Sequence, residues 1–193
     1  YAPITYIFPS MLAKYEELYD TEIEGSKSKF RQVDRERSLQ SLMTSNLLKR
    51  LESSVHSFRL TLERLKSHNE NILSAIKEFN DSNVKDVQLS SILKGEDIDD
   101  EDVDNIGEAF IGGKIKINLA DMDLPSWEYD LKTDLKVVKF LLVEMYKITP
   151  EHDYKLQDIK SHIDNKIKNP INVNNKKVIV FTAFADTADY LYE

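Results

Sequence analysis

The feature that most constrains the fold is a long stretch without glycine or proline, residues 27–94. Inside it, large apolar residues recur at alternating steps of four and three, which is the spacing of one face of an α-helix. The alternation is strict over residues 51–79. The pattern predicts one helix of about 40 residues and roughly 60 Å, or two helices that break near Ser53 and Ser54. We call these residues the first seam: Leu39, Met43, Leu47, Leu51, Val55, Phe58, Leu62, Leu65, Asn69, Ile72, Ile76 and Phe79.

Two shorter helical patterns follow in the C-terminal half of the chain. Pro125 marks the start of one, and Thr149 with Pro150 predicts the start of the other. Asn169 and Pro170 end the second, because the residue before a proline avoids the α region. Apolar residues again recur at steps of four and three, which gives a second seam and a third apolar face. The second seam is Leu131, Leu135, Val138, Leu142 and Met145, and the third face is Leu156, Ile159, Ile163 and Ile167.

Short strands are predicted near both ends of the chain. Residues 4–8 are mostly β-branched and aromatic, and residues 178–182 form an apolar run typical of a strand buried on both faces of a parallel sheet. A lone strand cannot satisfy its backbone donors, so we expect the second run to pair with the first, with missing sequence, or with a neighbouring molecule. The chain begins at Tyr1, and we interpret it as a piece of a longer protein. The predicted fold class is mainly α, a long antiparallel helical hairpin or bundle with a few short strands near the ends.

Charge is distributed unevenly along the chain. The total is −8, from 34 acidic and 26 basic residues. Residues 27–66 hold ten basic and four acidic residues, a local charge of +6, whereas residues 95–108 hold eight acidic residues and no basic one. The first region has the charge of a helix that contacts nucleic-acid phosphates, and equally of an ordinary solvated helix face. The second region predicts an acidic loop.

The absence of cysteine limits the chemistry of the chain. It excludes disulfides, thiolate zinc sites and a cysteine nucleophile. No apolar run reaches the roughly 20 residues that cross a bilayer, and nothing resembles a secretory leader. We therefore expect a cytoplasmic protein without a membrane partner.

Two patterns resemble ligand sites but fail on spacing. Residues 107–114 (GEAFIGGK) carry an extra glycine before the lysine of a phosphate-binding loop. Asp100, Asp102 and Asp104 have the spacing of an EF-hand, but Asn105 stands at the glycine position. A weak divalent-cation sensor is the function that this acidic stretch leaves open. The four histidines lack the spacing of metal ligands, so we expect no metal site and no catalytic residue.

Four strings of residues carry a resemblance to a known family. They are residues 47–58, which begin LLKRLESS, residues 153–156 (DYKL), residues 176–191, and residues 4–19, which we interpret as a strand and a helix. Taken in chain order, they resemble the inter-lobe segment of bacterial Swi/Snf-like superfamily-two helicases, with residues 4–19 similar to the chain that leaves the first lobe. Residues 176–191 resemble helicase motif IV, the first strand and loop of the second RecA-like lobe. Residues 84–127 look like an insertion.

The resemblance implies a fragment of a larger α/β motor, an ATP-dependent nucleic-acid helicase or translocase whose two RecA-like lobes grip ATP and magnesium. Residues 1–25 would leave the first lobe, residues 26–171 would form a helical inter-lobe region with the acidic loop 95–108, and residues 172–193 would start the second lobe. The chain lacks the family's phosphate-binding loop, Asp-Glu-x-His box and arginine finger, which phosphoryl transfer needs together. We expect a connector without catalysis or a cofactor of its own, with DNA or RNA and the remaining lobes as partners.

The resemblance also implies site residues, each with a plain alternative. Thr182 and Phe184 belong to the motif IV loop, which in the family lies near the nucleic-acid backbone, or they pack at a strand end. Asp186 matches the family, or it caps the following helix. Lys49 and Arg50 contact phosphate or pair with nearby acids. The expected nucleic-acid contacts are Lys49, Arg50, Arg59, Thr182 and Phe184, and the expected structural motif residues are Asp153, Lys155, Asp186 and Thr187.

A different class of function also fits the seams. A stand-alone helical adaptor would use the first seam to bind a partner helix. The bare edge of residues 178–182 would also allow self-association. The two functions differ in whether the natural protein carries nucleotide-binding motifs on both sides of this chain.

Overall fold

The described part of the chain is mainly helical, as predicted. The computed structural model describes residues 3–19, 21–22, 29–30, 32–81, 87 and 117–192. Within these residues, two short strands pair antiparallel. The elements in chain order are the 3-10 turns η1 (Pro3–Tyr6) and η2 (Pro9–Met11), α1 (Leu12–Tyr19), β1 (Thr21–Glu22), β2 (Lys29–Phe30), α2 (Gln32–Ser53), α3 (Val55–Asp81), the 3-10 turn η3 (Leu119–Asp121), α4 (Leu124–Tyr146), α5 (Tyr154–Lys168) and α6 (Ala185–Tyr192).

Helices α2 and α3 form a hairpin whose corner is the single residue Ser54. Ser54 Oγ accepts the Ser57 N–H at 3.0 Å and so caps α3. Backbone hydrogen bonds continue through the corner, since the Ser54 N–H donates to the Arg50 carbonyl and the Phe58 N–H donates to the Ser54 carbonyl. The corner therefore turns the chain without a loop.

The apolar residues of α2 and α3 pair in antiparallel order. Near the corner, Leu47 packs against a cluster that contains Phe58. Far from the corner, Leu39 packs against a cluster that contains Ile72. The prediction of two helices that break near Ser54 is confirmed. The single long helix is wrong, because the serine cap starts a new helix at the corner and α2 then folds back, with Leu39 and Leu47 partly buried against the two clusters.

Helix α4 covers the hairpin and completes the core. Its second-seam residues Leu131 and Leu142 are buried in the clusters that hold the first-seam residues of α3. Asn69, the one polar residue of the first seam, is also buried. An ion pair of 2.8 Å between Lys139 and Glu70 links the two helices at the rim. Because each fully buried Leu or Ile contributes about 1.5–3 kcal/mol, this contact between seams is the main source of stability.

The N-terminal segment packs on the core without the strand predicted at residues 4–8. The turn η1 occupies Pro3–Tyr6, and Ile7 forms an isolated β-bridge with Met122. Backbone hydrogen bonds to residues 121–123 flank this bridge. The strand prediction is wrong because the flanking prolines lack donors, and the remaining backbone groups bond to the turn that precedes α4.

Residues 178–182 form no strand with any described residue, contrary to the prediction. Their apolar side chains are exposed, and Phe181 reaches 91%. The proposed pairing with residues 4–8 is absent, since that segment bonds to residues 121–123 instead. A strand needs a neighbour for its ladder, and no described strand lies beside this run.

Side-chain caps set the start of two helices. Asp123 caps α4 by accepting the Ser126 N–H at 3.2 Å, and Pro125 lies in the first turn, as predicted. The predicted start of α5 at Thr149 and Pro150 is wrong. Asp153 is the cap, because its Oδ1 accepts the Leu156 N–H at 3.1 Å. Helix α5 ends at Lys168 with Asn169 as its C-cap, which confirms the predicted stop.

Several predicted features lie outside the described residues. These are the acidic loop 95–108 with its EF-hand-like aspartates, the glycine-containing residues 107–114, and the domain boundary near residue 25. Among the helices that the structure describes, none combines the length and the apolar character that a bilayer crossing requires.

A buried tyrosine joins α1 to the turn η3. Tyr15, which is 1% exposed, donates its hydroxyl to Asp121 Oδ2 at 2.6 Å and accepts the Asn118 N–H at 3.1 Å. Lys14 Nζ donates to the same carboxylate at 2.8 Å. The hydrogen bonds from Lys14 and Tyr15 hold the pKa of Asp121 below its ordinary value.

This contact predicts an acid-sensitive part of the fold. The lowered pKa of Asp121 stabilises the folded state above the ordinary aspartate pKa, and this stabilisation is lost as the pH falls through the folded-state pKa. We expect Asp121→Asn to be less stable than wild type at neutral pH and to lose less stability on acidification. Urea unfolding over a pH series measures both, with the exposed Asp158→Asn as control. Equal acid sensitivity of wild type and Asp121→Asn would contradict the assignment.

Candidate functional site

Three of the four strings that carry the family resemblance meet at one place, which we call the junction. The first is the corner of the α2–α3 hairpin, the second is the start of α5, and the third is α6 with the loop before it. More than a hundred residues of chain separate the corner from α6, so the fold alone brings them together. The junction consists of Arg50, Ser53, Ser54, His56, Ser57, Asp153, Thr182, Phe184, Asp186, Thr187 and Tyr190.

A buried ion pair lies at the centre of the junction. Arg50 is 1% exposed, and its Nη1 donates to Asp186 Oδ2 at 2.6 Å and to Ser57 Oγ at 3.1 Å. Its guanidinium also lies 4.7 Å from the ring centre of Phe184. Arg64 approaches Asp186 Oδ1 at 3.9 Å from the solvent side. Removing one partner of such a pair leaves a buried charge without compensation, so the two residues depend on each other.

Hydroxyl groups surround the ion pair. Thr187 Oγ1 shares hydrogen bonds with Ser53 Oγ at 2.8 Å and with Ser54 Oγ at 3.0 Å. Thr182 Oγ1 lies 3.4 Å from Ser53 Oγ. The same serine that caps α3 therefore also holds the first turn of α6, which fixes α6 to the corner.

A tyrosine connects α6 to α5. Tyr190 donates its hydroxyl to Asp153 Oδ2 at 3.1 Å, and its ring stacks on His56 with a centroid distance of 4.9 Å. Burial, followed by the charge of Asp153, raises the pKa of Tyr190 to about 12. Lys155 Nζ donates to the Glu52 carbonyl at the end of α2. Asp153 thus serves twice, as the cap of α5 and as the acceptor for Tyr190.

A cavity of about 140 Å³ lies between the three elements of the junction. Its apolar lining comes from the corner, from α5 and from the last turn of α6. Ser54, Thr187 and Tyr190 form part of its polar edge. The apolar lining residues are Leu51, Val55, Leu156, Ile159 and Leu191.

The structure separates the predicted nucleic-acid contacts into two groups. Lys49 is exposed, and Arg59 is half-buried, bonded to His56 Nδ1 at 3.0 Å and placed over the ring of Tyr146. Arg50 is buried and paired with an acid, so a phosphate contact does not fit it and the alternative prediction of an acidic partner does. Thr182 and Phe184 are half-buried in the junction, a packing role that was their alternative prediction.

The four predicted structural motif residues all lie at or beside the junction. Asp153 and Lys155 contact α6 and the end of α2, and Thr187 bonds to the corner serines. The alternative that Asp186 caps the next helix is wrong, because α6 begins at Ala185 and Asp186 lies inside its first turn. Its carboxylate is directed to arginine instead.

Some junction residues were missed by the sequence analysis. Ser57 follows Arg50 by seven residues but lies on α3, beyond the corner, so the two do not share a helix face. Tyr190 follows Asp186 by four residues, so that pair shares one face of α6. That spacing is a usable signal once the partner residue is suspected. For Arg64, the positive charge is the only feature of the sequence that indicates a contact with Asp186.

Neither metal ligands nor known relatives assign a chemistry to the junction. Among the described residues, no group of His, Cys, Asp and Glu is arranged to hold a metal ion. No protein-family model, curated protein or solved structure matches the chain. The chemistry of the site therefore follows from its contacts, which bind one chain segment to another.

The double role of Asp153 gives a stability prediction. We expect Asp153→Ala to lower the free energy of unfolding by about 2–3 kcal/mol, since it removes a helix cap and a buried hydrogen bond. Asp153→Asn keeps an oxygen for the cap and should lose clearly less. Urea unfolding measures both, with Asp164→Ala on the exposed face of α5 as control. Equal losses for the Ala and Asn variants would show that the cap is not what Asp153 supplies.

Proposed function

We propose that this chain is the segment between the two RecA-like lobes of a Swi/Snf-like helicase or translocase, acting in the cytoplasm. The observation that carries the proposal is the junction. Residues 47–58, 153–156 and 176–191 each resemble a string of one family, and they lie far apart in the sequence. In the structure they touch each other through Arg50–Asp186, Lys155–Glu52 and Tyr190–Asp153.

The chemistry of the junction supports a mechanical role. A connector has to hold one lobe at a defined angle to the next, and directional contacts do this better than apolar packing alone. The Arg50–Asp186 pair and the hydroxyls around Thr187 provide such contacts. Movement of α6 would therefore move the corner of the hairpin.

The exposure of apolar residues before α6 is an argument for a neighbouring lobe. Residues 178–181 have the composition of a central strand, yet all four side chains are exposed. An apolar run on both faces is typical of a parallel sheet covered by helices. We infer that residues 172–193 start the second lobe, with residues 178–182 belonging to such a sheet and α6 following it.

Nucleic acid is the proposed partner of the exposed cations near the corner. Lys49 faces solvent, and Arg59 and Arg64 are partly exposed. Phosphate contacts of this kind give affinity without reading the base sequence. Arg50 takes no part in this contact, and ATP with magnesium would be held by the lobes.

The helical adaptor remains the second candidate, but not through the first seam, whose α3 residues are buried in the core. The face that remains for a partner is on α4, where apolar residues are exposed. Val137, Phe140 and Val143 each expose more than half of their surface. Phe140 lies two residues, about 200°, from the seam residues Val138 and Leu142. A partner helix could cover this face. An adaptor would lose its partner on Phe140→Asp and would show no response to nucleic acid.

The decisive measurement is the ATPase rate of the protein that contains this chain, with and without DNA or RNA. We expect nucleic acid to stimulate the wild type. Lys49→Ala should weaken nucleic-acid binding and reduce the slope of log affinity against log salt by about 1, because one phosphate contact is lost. Lys77→Ala, an exposed lysine at the far end of α3, is the matched control.

Each result has a separate meaning. Absence of stimulation by either nucleic acid contradicts the helicase proposal. Stimulation with equal salt slopes for Lys49→Ala and wild type contradicts only the phosphate contact at Lys49. An equal effect of Lys77→Ala would show that the corner is not special.

A further inference from the structure

Helix α6 is attached to the rest of the described chain mainly through the junction. Residues 171–181 before it are exposed, and no backbone hydrogen bond joins residues 177–183 to another described element. Helix α6 has eight residues, which is below the length at which an isolated helix is stable in water. Its position and its helicity therefore both depend on the contacts with the corner and α5.

These contacts border a cavity that is partly open to solvent. The cavity, of about 140 Å³, lies between Thr187, Tyr190 and Leu191 of α6 and the corner and α5. The side chains that line it have no protein atoms packed against them on the cavity side. Separating α6 from its support therefore breaks fewer apolar contacts than separating a close-packed helix.

Within the described part of the chain, Arg50 forms hydrogen bonds through only one of its three guanidinium nitrogens. Arg50 Nη1 makes both of its hydrogen bonds, whereas Nε and Nη2 are buried without an acceptor in the described part of the chain. Buried donors that lack a partner oppose the buried state. The docked position of α6 is thus favoured by one strong pair and opposed by two donors on the same side chain.

We propose that the junction is a releasable joint, in which residues 182–192 undock as a unit while α2, α3 and α4 remain folded. The Arg50–Asp186 pair is the latch, and Arg50 is a positioning residue. Three observations support release. Polar contacts hold α6 in place, a cavity lies between α6 and its support, and two buried donors of Arg50 have no acceptor in the described part of the chain. The role of release in coupling two lobes rests on the proposed function, whereas release itself does not.

Hydrogen–deuterium exchange of the whole 193-residue chain tests the joint. We expect Asp186→Asn to accelerate exchange of residues 185–192 by about tenfold or more, because a hydrogen bond between two charged groups is lost. Exchange in α3 and α4 should not change. Asp189→Asn, an exposed acid on the same helix, is the matched control and should exchange like wild type.

A second variant distinguishes local undocking of α6 from general misfolding. Arg50→Lys keeps the positive charge but has a shorter side chain than the arginine whose Nη1 bonds to both Asp186 and Ser57, and it should give a smaller acceleration confined to α6. If either variant accelerates α3 and α4 as much as α6, the junction belongs to a single cooperative core and the joint does not exist. If neither variant accelerates α6, the ion pair is not the latch.

A reversible disulfide between α6 and the corner tests the undocking of α6 separately from the proposed motor function. The chain has no cysteine, so Ser54→Cys with Thr187→Cys introduces one defined pair at side chains whose oxygens are 3.0 Å apart. Oxidation should slow exchange of α6 to the level of α3, and reduction should restore it. A variant that forms the disulfide without slowing α6 would overturn the joint.

In the protein that contains this chain, oxidation of the pair should reduce nucleic-acid stimulation of the ATPase and reduction should restore it. Full stimulation in the oxidised form would overturn the coupling role and leave the joint in place. No stimulation in either form would overturn the proposed function, while the exchange result would still decide the joint.

Discussion

The contact between α3 and α4 is the interaction on which the rest of the structure depends. Both helices present apolar residues at steps of four and three, and burying the two seams against each other creates the two core clusters. Helix α2 folds back onto the same surface because Ser54 ends one helix and caps the next. The N-terminal turns then close the far end of the bundle through Ile4, Ile7 and the Tyr15–Asp121 contact.

The periodic features were predictable from sequence because they arise within single helices. The first and second seams follow from residue spacing. The spacing runs unbroken across Ser54, so only the paired serines indicate the break, which was the alternative to one continuous helix. The strand prediction for residues 4–8 is wrong although their β-branched composition favours a strand. The backbone groups with which they form hydrogen bonds lie in a turn near residue 121. Residues 178–182 have the composition of a strand but no described neighbour. In both cases pairing over long distances decided the outcome, and composition does not specify a pairing partner.

The junction shows the same limit from the functional side. Lys49 and Arg50 are adjacent and carry the same charge, yet one faces solvent and the other is among the most buried side chains. Successive residues of a helix point about 100° apart, so a buried partner such as Asp186 separates their roles. Nothing within residues 47–54 identifies that partner, which lies 136 residues away. Three strings of the resemblance meet in the fold. Whether Arg50 faces a phosphate or an acidic side chain depends on its burial, which the sequence does not specify.

The balance of forces differs between the core and the junction, and this difference bears on mechanism. In the core, many apolar contacts act together and no single residue decides the structure. At the junction, one buried ion pair, two hydroxyl contacts and one tyrosine hold an eight-residue helix beside a cavity. A small number of directional contacts gives an attachment that is specific in angle but limited in strength, since each contributes only about 1–3 kcal/mol. A connector between moving parts needs both properties, because it must return to one geometry without resisting every departure from it.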